Sequence, residues 1–324
     1  MNRPGREATD LDAGVGLQCG LQPLSTDEAW HFLLALRRKV DLAGEAAGRR
    51  IWGFRFSGGS CVPAAERSSD LLVDPASGTI LRCTRPLSRE AQALLDMHAR
   101  HALRARADGH VVAVLGQSLD GFIATGAGHS RYINGGESLV HLHRVRALSD
   151  AIIIGVGTAV ADGPRLTTRH VPGPHATRVV IDPRGRLPAS SGLICDGAAA
   201  TLVVRATEGP AFETKLSDQA TAVCLPARDG AIAPGIVVAA LAERGMTRLL
   251  VEGGGITVGR FLEAGLIERL QLAVSPLIIG SGRPALPVSP AVRLDEALRP
   301  ECRHHVLGKD VLFDLHFARR RHSG

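Results

Sequence analysis

The stretch LLVEGGGITVGRFLEAG, residues 249–265, gives the strongest glycine signal in the sequence. An apolar strand ends at Glu252, three glycines follow, and a helix begins near Thr257. Glycines at a helix N-terminus have no side chain, so a phosphate can come close to their backbone N–H groups. The helix dipole also favours the anion. The pattern is neither GxGxxG nor GxxxxGK(S/T), so a glycine turn without function is an equal alternative from these residues alone.

A second glycine pair, Gly155 and Gly157, ends the apolar run that starts at Ala151. Two glycine-marked strand ends in one sheet indicate a nucleotide that lies across the carboxyl edge of the sheet. The following loop carries Arg165 and Arg169, whose guanidinium groups are suited to bidentate binding of a phosphate. Exposed arginine without a ligand is the commoner case, so both interpretations stay open.

From His110 onward, short β-branched runs alternate with helical patterns, which predicts an α/β domain whose sheet is covered on both faces. The last strand alternates in polarity, which predicts an antiparallel strand at the sheet edge. The predicted strands are residues 111–116, 151–157, 178–182, 201–206, 247–252, 270–278 and 311–317. The predicted helices are residues 136–148, 234–243 and 257–264.

The segment before this domain has its own pattern of helices and strands. Ser25 and Glu28 fit a capping box at the start of a helix. In the strand that follows, Trp52, Phe54 and Phe56 share one face.

A hairpin over residues 70–83 and a helix over residues 88–106 complete a small α+β module. We therefore divide the chain into residues 1–108, a tail and small module of unknown role, and residues 109–324, the α/β domain.

The composition excludes several classes of protein. Of the 324 residues, 45% are hydrophobic and 22% are charged, which suits a globular chain with a sizeable core. Aromatic residues are only 3%, too few for a surface that stacks unpaired bases, and the net charge of +6 comes from scattered arginine. We therefore expect no nucleic-acid partner.

The longest apolar stretch, residues 151–161, falls short of the roughly 20 residues that a bilayer span needs. The N-terminus lacks the apolar core of a signal peptide, so we expect a cytoplasmic protein with no membrane partner. The cysteines and histidines do not have the spacing of metal ligands, so we expect no metal site.

Four further charged positions are candidates for ligand binding. Arg146 lies seven residues after Leu139, on the same side of a predicted helix, and a cation beside a buried face needs an anionic partner. Glu252 either belongs to a site or accepts N–H bonds from its own turn. Arg184 and Arg186 follow a strand end and are either turn cations or contacts to the 2′-phosphate of NADPH.

Five motifs, taken together, resemble the reductase domain of the bifunctional riboflavin-biosynthesis deaminase–reductase family. They are SLDGFIATGAGHSRYING, HRVRALSDAIIIGVGTAVADGPRLTTR, RVVIDPRGRLP, LLVEGGGITVGRFLEAGLIERL and SPLIIGSGRPAL. The resemblance implies a dihydrofolate-reductase-like fold, a mixed sheet with helices on both faces. It also implies that NADPH reduces the ribosylamino group of 5-amino-6-(5-phosphoribosylamino)uracil to the ribityl chain, and we expect a homodimer.

The resemblance also implies roles for individual residues. The implied cofactor-binding residues are Gly116, Tyr132, Thr158, Asp162, Gly254, Gly255, Ile256, Thr257, Val258, Gly259 and Arg260. The implied substrate-binding residues are Ser130, Arg146, Leu166, Arg169 and Glu252. Among the latter, Arg146 and Arg169 are suited to the phosphate of a phosphorylated small-molecule substrate.

The sequence departs from the family pattern at several positions. Val114 stands where the family usually has lysine, and Gly163 replaces the second carboxylate of the usual DDP. No HxE followed by PCxxC is present, so the zinc deaminase half is absent. Two alternatives stay open: a reductase of a related pterin or nucleoside-like substrate, and a nucleotide-binding module without catalysis.

Overall fold

The computed structural model describes residues 22–43, 51–75, 80–103, 110–131 and 133–318. The chain forms two compact units, Met1–Leu103 and Arg104–Gly324. The boundary predicted after residue 108 lies outside the described residues.

The described part of the first unit combines two helices with a four-stranded antiparallel sheet, the α+β architecture that the sequence predicts. Its elements are α1 (Thr26–Ala43), β1 (Trp52–Ser57), β2 (Ser60–Ala64), β3 (Leu71–Val73), β4 (Ile80–Cys83) and α2 (Arg89–Leu103), with strand order β2-β1-β3-β4. The backbone N–H of Ser25 donates to Glu28 Oε2 at 3.0 Å, and the N–H of Glu28 donates to Ser25 Oγ at 3.2 Å. These two bonds confirm the predicted capping box.

The second unit is a mixed sheet with helices on both faces. Within the described residues its strands are β5 (His110–Ser118), β6 (Phe122–Thr125), β7 (Ala151–Gly155), β8 (Thr177–Ile181), β9 (Thr201–Thr207), β10 (Phe212–Lys215), β11 (Ala220–Pro226), β12 (Arg248–Glu252), β13 (Ile267–Ser275), β14 (Gly282–Pro284), β15 (Glu301–Leu307) and β16 (Asp310–His316). Its helices in the same ranges are α3 (Gly136–Leu148), α4 (Val156–Asp162), α5 (Gly192–Cys195), α6 (Pro234–Ala242) and α7 (Gly255–Glu263).

Two apolar clusters lie on opposite faces of the main sheet. Leu249 and Val251 of β12 belong to the first cluster, together with residues of α6 and α7. Leu250, between them in sequence, belongs to the second cluster, together with residues of α3, α4 and α5. Because successive side chains of a strand point to opposite faces, this division confirms that helices cover the sheet on both sides.

The strand order places a crevice at one edge of the sheet. The order in the described unit is β10-β11-β9-β8-β7-β12-β5-β13-β16-β15, and β6 pairs separately with β14. The chain runs outward from β7 to β11 and then returns to insert β12 between β7 and β5, parallel to both. The helix after β7 covers one face and the helix after β12 covers the other, which makes a topological switch point where ligands bind in such sheets.

Three predictions about strands were wrong, and one of them is the strand expected over residues 270–278, which instead runs from Ile267 to Ser275. The last strand, β16, is antiparallel but not at the edge, because β15 pairs with its outer side from Glu301 to Leu307. The segment ECRHHVL of β15 is polar and mostly exposed, as edge strands often are, so it gave no strand signal. The strand predicted over residues 151–157 ends at Gly155, because Val156 already begins α4.

None of the helices in the described ranges is long and apolar enough to cross a membrane.

A buried ion pair joins the two antiparallel strands β13 and β16. Arg269 Nε donates to Asp314 Oδ1 at 2.5 Å, and the two side chains are only 5% and 2% exposed. Burial alone would raise the pKa of Asp314, but the hydrogen bonds and charge of Arg269 outweigh it, so the pKa is lowered. The exposed pair Arg293–Asp295 offers a comparison, since its side chains are 73% and 69% exposed.

We expect Arg269→Met to lower the free energy of unfolding by about 3–5 kcal/mol, because it leaves the buried carboxylate of Asp314 without its arginine. Arg293→Met should cost less than about 1 kcal/mol. Denaturant titration at pH 7 measures both. Because the pKa of Asp314 is lowered in the folded state, the pair's contribution is present above about pH 4 and is lost as pH falls further. An equal loss of unfolding free energy in the two variants would contradict the stabilising role of the buried Arg269–Asp314 pair.

Candidate active site

Arg146 of α3 and Glu252 at the end of β12 form a buried, bidentate ion pair. Arg146 Nε donates to Glu252 Oε2 at 2.9 Å, and Arg146 Nη2 donates to Glu252 Oε1. The remaining guanidinium nitrogen, Nη1, donates to the carbonyl oxygen of Thr167 at 3.0 Å. The two charged residues are only 7% and 9% exposed. A helix, a strand end and the loop after α4 therefore meet at one guanidinium group.

The environment of Arg146 differs from the sequence prediction in one respect. Leu139 is 41% exposed, so it does not mark the buried side of α3. That side includes the polar residues Ser138 and His141, which pack against the sheet through hydrogen bonds rather than apolar contact. The anionic partner that a buried Arg146 needs is Glu252, which accepts no hydrogen bond from its own turn within the described residues.

The loop after α4 holds Arg169 beside this pair. Arg169 Nη1 donates to Thr167 Oγ1 at 2.8 Å. Burial lowers the pKa of the Arg169 guanidinium, and the nearby cations Arg146 and Arg165 lower it further. The guanidinium groups of Arg146 and Arg165 thus lie near that of Arg169, and Glu252 is the carboxylate that Arg146 binds. This local excess of positive charge favours an anionic ligand.

Leu166, in the same loop, adopts an unusual backbone conformation. Its φ is +54°, in the left-handed region that residues with a Cβ rarely adopt. The side chain is 2% exposed and packs in the apolar cluster on the α3 side of the sheet. Burial therefore fixes the strained turn from which Arg169 projects.

The two glycine-marked strand ends face each other across the switch point. Gly253 and Gly254 have φ of +78° and +70°, and α7 starts directly after them. A Cβ on Gly254 would lie 2.7 Å from Thr158 Oγ1, and a Cβ on Gly155 would lie 2.5 Å from Thr257 Oγ1. Neither glycine can carry a side chain without displacing a threonine of the opposite strand end. The N–H groups of Thr257 and Val258 already donate to the carbonyl oxygen of Gly254, so the N–H groups that an anion could meet at the start of α7 are those of Gly255 and Ile256.

Other predicted cofactor residues of this stretch pack inside the protein. A Cβ on Gly255 would lie 2.5 Å from the carbonyl oxygen of Ala285, and one on Gly259 would lie 2.8 Å from that of Pro287. Val258 is fully buried in the core. The side chains at the surface of the stretch are Ile256, Thr257 and Arg260, of which Ile256 is 66% exposed.

Gly116 has a steric role that the sequence did not reveal. A Cβ there would lie 1.8 Å from Asn134 Oδ1, so the glycine makes room for this amide. Asn134 Nδ2 in turn donates to the carbonyl oxygen of Ala273 at 3.0 Å. Ser130, in the loop before Asn134, is half-buried, and Tyr132 lies outside the described residues.

The substitution at Gly163 has a local explanation. Gly163 follows α4 with a φ of +51°, and its N–H donates to the carbonyl oxygen of Ala159. A left-handed residue that ends a helix in this way favours glycine over a carboxylate. Asp162, the last residue of α4, is exposed.

Arg184 and Arg186 lie on a turn at the end of β8. The fully buried Asp182 organises the turn, because its carboxylate accepts the N–H groups of Arg186 and Leu187, each at 2.8 Å. Both arginines are exposed, and within the described residues neither forms an ion pair. Because β8 lies two strands from β12, the turn is about 10 Å along the edge from Glu252.

Sequence reasoning missed Asp120, which joins the loops after β5 and β13. Its carboxylate accepts the hydroxyl of Ser118 at 2.5 Å and the N–H groups of Gly280 and Ile279 at 2.6 and 3.1 Å. The hydrogen bond from Ser118, followed by those from the backbone, lowers the pKa of Asp120. The signal for this contact was the SLDG motif itself, which places a turn carboxylate directly after a strand.

A groove lies at the opposite end of the sheet. The groove, of about 1010 Å³, is lined by residues that include Leu262, Val288, Leu298 and Phe317. It lies at the amino end of β13, away from the glycine turns and the arginines. Among the described residues, no group of three His, Cys, Asp or Glu side chains could hold a metal ion.

The family described as RibD C-terminal domain matches residues 109–312, more than half of the chain. The chain belongs to this family. A relative from Methanothermobacter thermautotrophicus, named 2,5-diamino-6-ribosylamino-4(3H)-pyrimidinone 5′-phosphate reductase, is 32% identical over 63% of this chain and 96% of its own length. A relative from Mycobacterium tuberculosis, named riboflavin biosynthesis protein RibD, is also 32% identical, over 64% of this chain and 54% of its own.

Solved RibD structures share the fold of the chain. The Acinetobacter baumannii RibD structure matches with a TM-score of 0.58 and 22% identity, over 72% of this chain and 65% of its own. Rib7, the riboflavin biosynthesis reductase of Saccharomyces cerevisiae, matches with a TM-score of 0.53 and 20% identity, over 66% of this chain and 92% of its own. The chain thus spans nearly all of the archaeal and yeast reductases but about half to two thirds of the RibD proteins.

We expect Gly254→Ala to weaken NADPH binding at least tenfold, about 1.4 kcal/mol, because the methyl group enters the space beside Thr158. Gly245→Ala is the matched control, since Gly245 has a φ of +74° but nothing within 4 Å of its added Cβ. Both variants place an alanine at a positive φ, so both carry backbone strain. Fluorescence titration measures the two dissociation constants. Equal affinities would place the phosphate cradle elsewhere.

Proposed function

We propose that this member of the RibD C-terminal domain family is an NADPH-dependent reductase of riboflavin biosynthesis. It reduces the ribosylamino group of 5-amino-6-(5-phosphoribosylamino)uracil to the ribityl chain and lacks deaminase activity. One observation carries this proposal: the Arg146–Glu252 pair lies at the switch point, with the Arg169 loop beside it and the glycine turn after it. A phosphorylated substrate and a nucleotide would thus meet at one edge of the sheet.

The residues present fit a nicotinamide dinucleotide phosphate. The left-handed turn at Gly253 and Gly254, crowded against Thr158, leads into α7, where the N–H groups of Gly255 and Ile256 suit a pyrophosphate. The cations Arg184 and Arg186, without ion partners in the described chain, suit a 2′-phosphate. NADPH, when bound, supplies the hydride.

Arg169 rather than Arg146 is the better ligand for the substrate phosphate. Three nitrogens of Arg146 already donate, two to Glu252 and one to Thr167. Arg169 uses only Nη1 in the hydrogen bonds of its side chain and is exposed at the carboxyl edge. Arg146 then acts by holding Glu252. A carboxylate offers about four lone-pair sites, so Glu252 can accept further hydrogen bonds from the substrate.

A second candidate function rests on the residue opposite Glu252. Val114 pairs with Glu252 in the register of β5 and β12 and is 7% exposed, so an apolar side chain replaces the family lysine beside this carboxylate. The loss of that ammonium favours a related pterin or nucleoside-like substrate. The diamino pyrimidinone phosphate in the names of the archaeal relatives is a further candidate of the same class.

A homodimer and a cytoplasmic location stay predictions from the sequence. A nucleotide-binding module without catalysis would bind NADPH but not oxidise it.

We expect the protein to oxidise NADPH, followed by absorbance, when the phosphorylated uracil or its diamino counterpart is added. Arg169→Ala should lower kcat/KM for the phosphorylated substrate by at least about thirtyfold, because loss of a charged partner costs about 2–5 kcal/mol. With the dephosphorylated compound the loss should be small. Arg303→Ala, on the exposed edge strand β15, is the control and should match the wild type. Binding of NADPH without turnover of any of these compounds would overturn the proposal.

Cofactor choice is tested separately. We expect Arg184→Ala or Arg186→Ala to weaken NADPH binding about ten- to hundredfold, since a lost charge-assisted hydrogen bond costs about 1.5–3 kcal/mol. NADH affinity should change little, because it has no 2′-phosphate. Isothermal titration with both nucleotides measures this. Equal affinity of the wild type for NADPH and NADH would rule out the arginine contact.

A further inference from the structure

His143 is a buried histidine of α3 that touches the Arg169 loop. It is 2% exposed, and its Nδ1 accepts the backbone N–H of Arg169 at 2.8 Å and that of His170 at 3.4 Å. The His143 and His170 rings also meet edge to face, with centroids 4.5 Å apart. The imidazole therefore contacts the backbone from which the Arg169 guanidinium projects.

The imidazole of His143 is neutral in the folded protein. Burial lowers its pKa to about 3, and the charges of Arg146 and Arg169 contribute to the decrease. A neutral imidazole carries one proton, and because Nδ1 accepts a hydrogen bond, the network assigns the proton to Nε2. A lone pair on Nδ1 is thus available to the Arg169 amide throughout the physiological pH range.

The loop needs such anchors because its backbone is strained. Leu166 in the left-handed region costs about 1–2 kcal/mol relative to ordinary conformations. Two residues of α3 hold the segment that follows: Arg146 binds the carbonyl oxygen of Thr167, and His143 binds the N–H of Arg169. Positions three apart share one face of a helix. One face of α3 therefore fixes the backbone on both sides of Thr168.

We propose that His143 is a positioning residue whose Nδ1 acceptor holds the Arg169 backbone, so that the Arg169 guanidinium meets the substrate phosphate. The role of the phosphate rests on the proposed function; the contact between His143 and the loop does not. His143 itself touches neither substrate nor cofactor in this account.

Two substitutions distinguish the effect of the Nδ1 hydrogen-bond acceptor from the effect of the volume of the His143 ring. His143→Asn keeps an acceptor, because Asn Oδ1 can replace Nδ1, whereas His143→Leu fills the space without one. His141→Leu is the matched control. His141 is equally buried on the same helix, but its Nε2 pairs with Gln271 Oε1 at 3.0 Å in the sheet, away from the loop.

The first readout is kinetic. We expect His143→Leu to raise KM for the phosphorylated substrate about tenfold or more, with kcat changed less than about threefold, because the guanidinium is misplaced while the chemistry is untouched. KM for the dephosphorylated compound should not change. His143→Asn and His141→Leu should stay within about threefold of the wild type. Equal losses for the phosphorylated and dephosphorylated compounds would mean a general structural role and would overturn the proposal.

The second readout does not depend on activity. Hydrogen exchange of the Arg169 amide, followed by ¹⁵N NMR, should be at least about tenfold faster in His143→Leu than in the wild type and in His143→Asn. Unchanged exchange in His143→Leu would overturn the proposal directly. If exchange behaves as expected but the wild type reduces neither phosphorylated pyrimidine, the contact stands and the proposed function fails.

Discussion

The buried pair of Arg146 and Glu252 is the constraint on which the arrangement of the site depends. Two charges removed from water are tolerated only when their hydrogen bonds are nearly complete. Here the guanidinium reaches both carboxylate oxygens and the Thr167 carbonyl. Because the three partners come from α3, β12 and the loop after α4, the pair can form only when β12 has inserted between β7 and β5. The sheet topology and the site are therefore completed by the same contact.

Local patterns predicted most elements because their causes are local. The capping box at Ser25 and the glycines at the end of β12 depend on neighbours a few residues away, and both are present. The edge strand β15 was missed because it forms through backbone hydrogen bonds to β16, while its own side chains are mostly exposed and show no apolar pattern. Leu139 was a wrong guide to the buried side of α3, because this helix buries polar side chains that form hydrogen bonds to strands distant in sequence. Contacts such as His143 with Arg169 join residues 26 positions apart, which no local pattern records.

The glycines of the stretch after Glu252 show how one motif can serve two purposes. Gly254 lies against Thr158 with a left-handed backbone and opens the turn to an anion. Gly255 and Gly259 instead let α7 approach the carbonyl oxygens of the loop after β14. In sequence all three are equivalent glycines. Their roles differ only in the folded protein. Gly254 lies where β12 returns to the switch point and a ligand can approach, whereas Gly255 and Gly259 lie where the loop after β14 packs on α7.

We propose that a nucleotide binds at the carboxyl edge between β7 and β12. Hydrogen–deuterium exchange of the whole chain, with and without NADPH, reports on this binding. We expect NADPH to slow exchange in residues 155–162 and 253–260 and in the turn after β8, while residues 22–43 and strand β15 stay unchanged. Protection confined to the groove at the amino end of β13, or no protection at the carboxyl edge, would contradict the account.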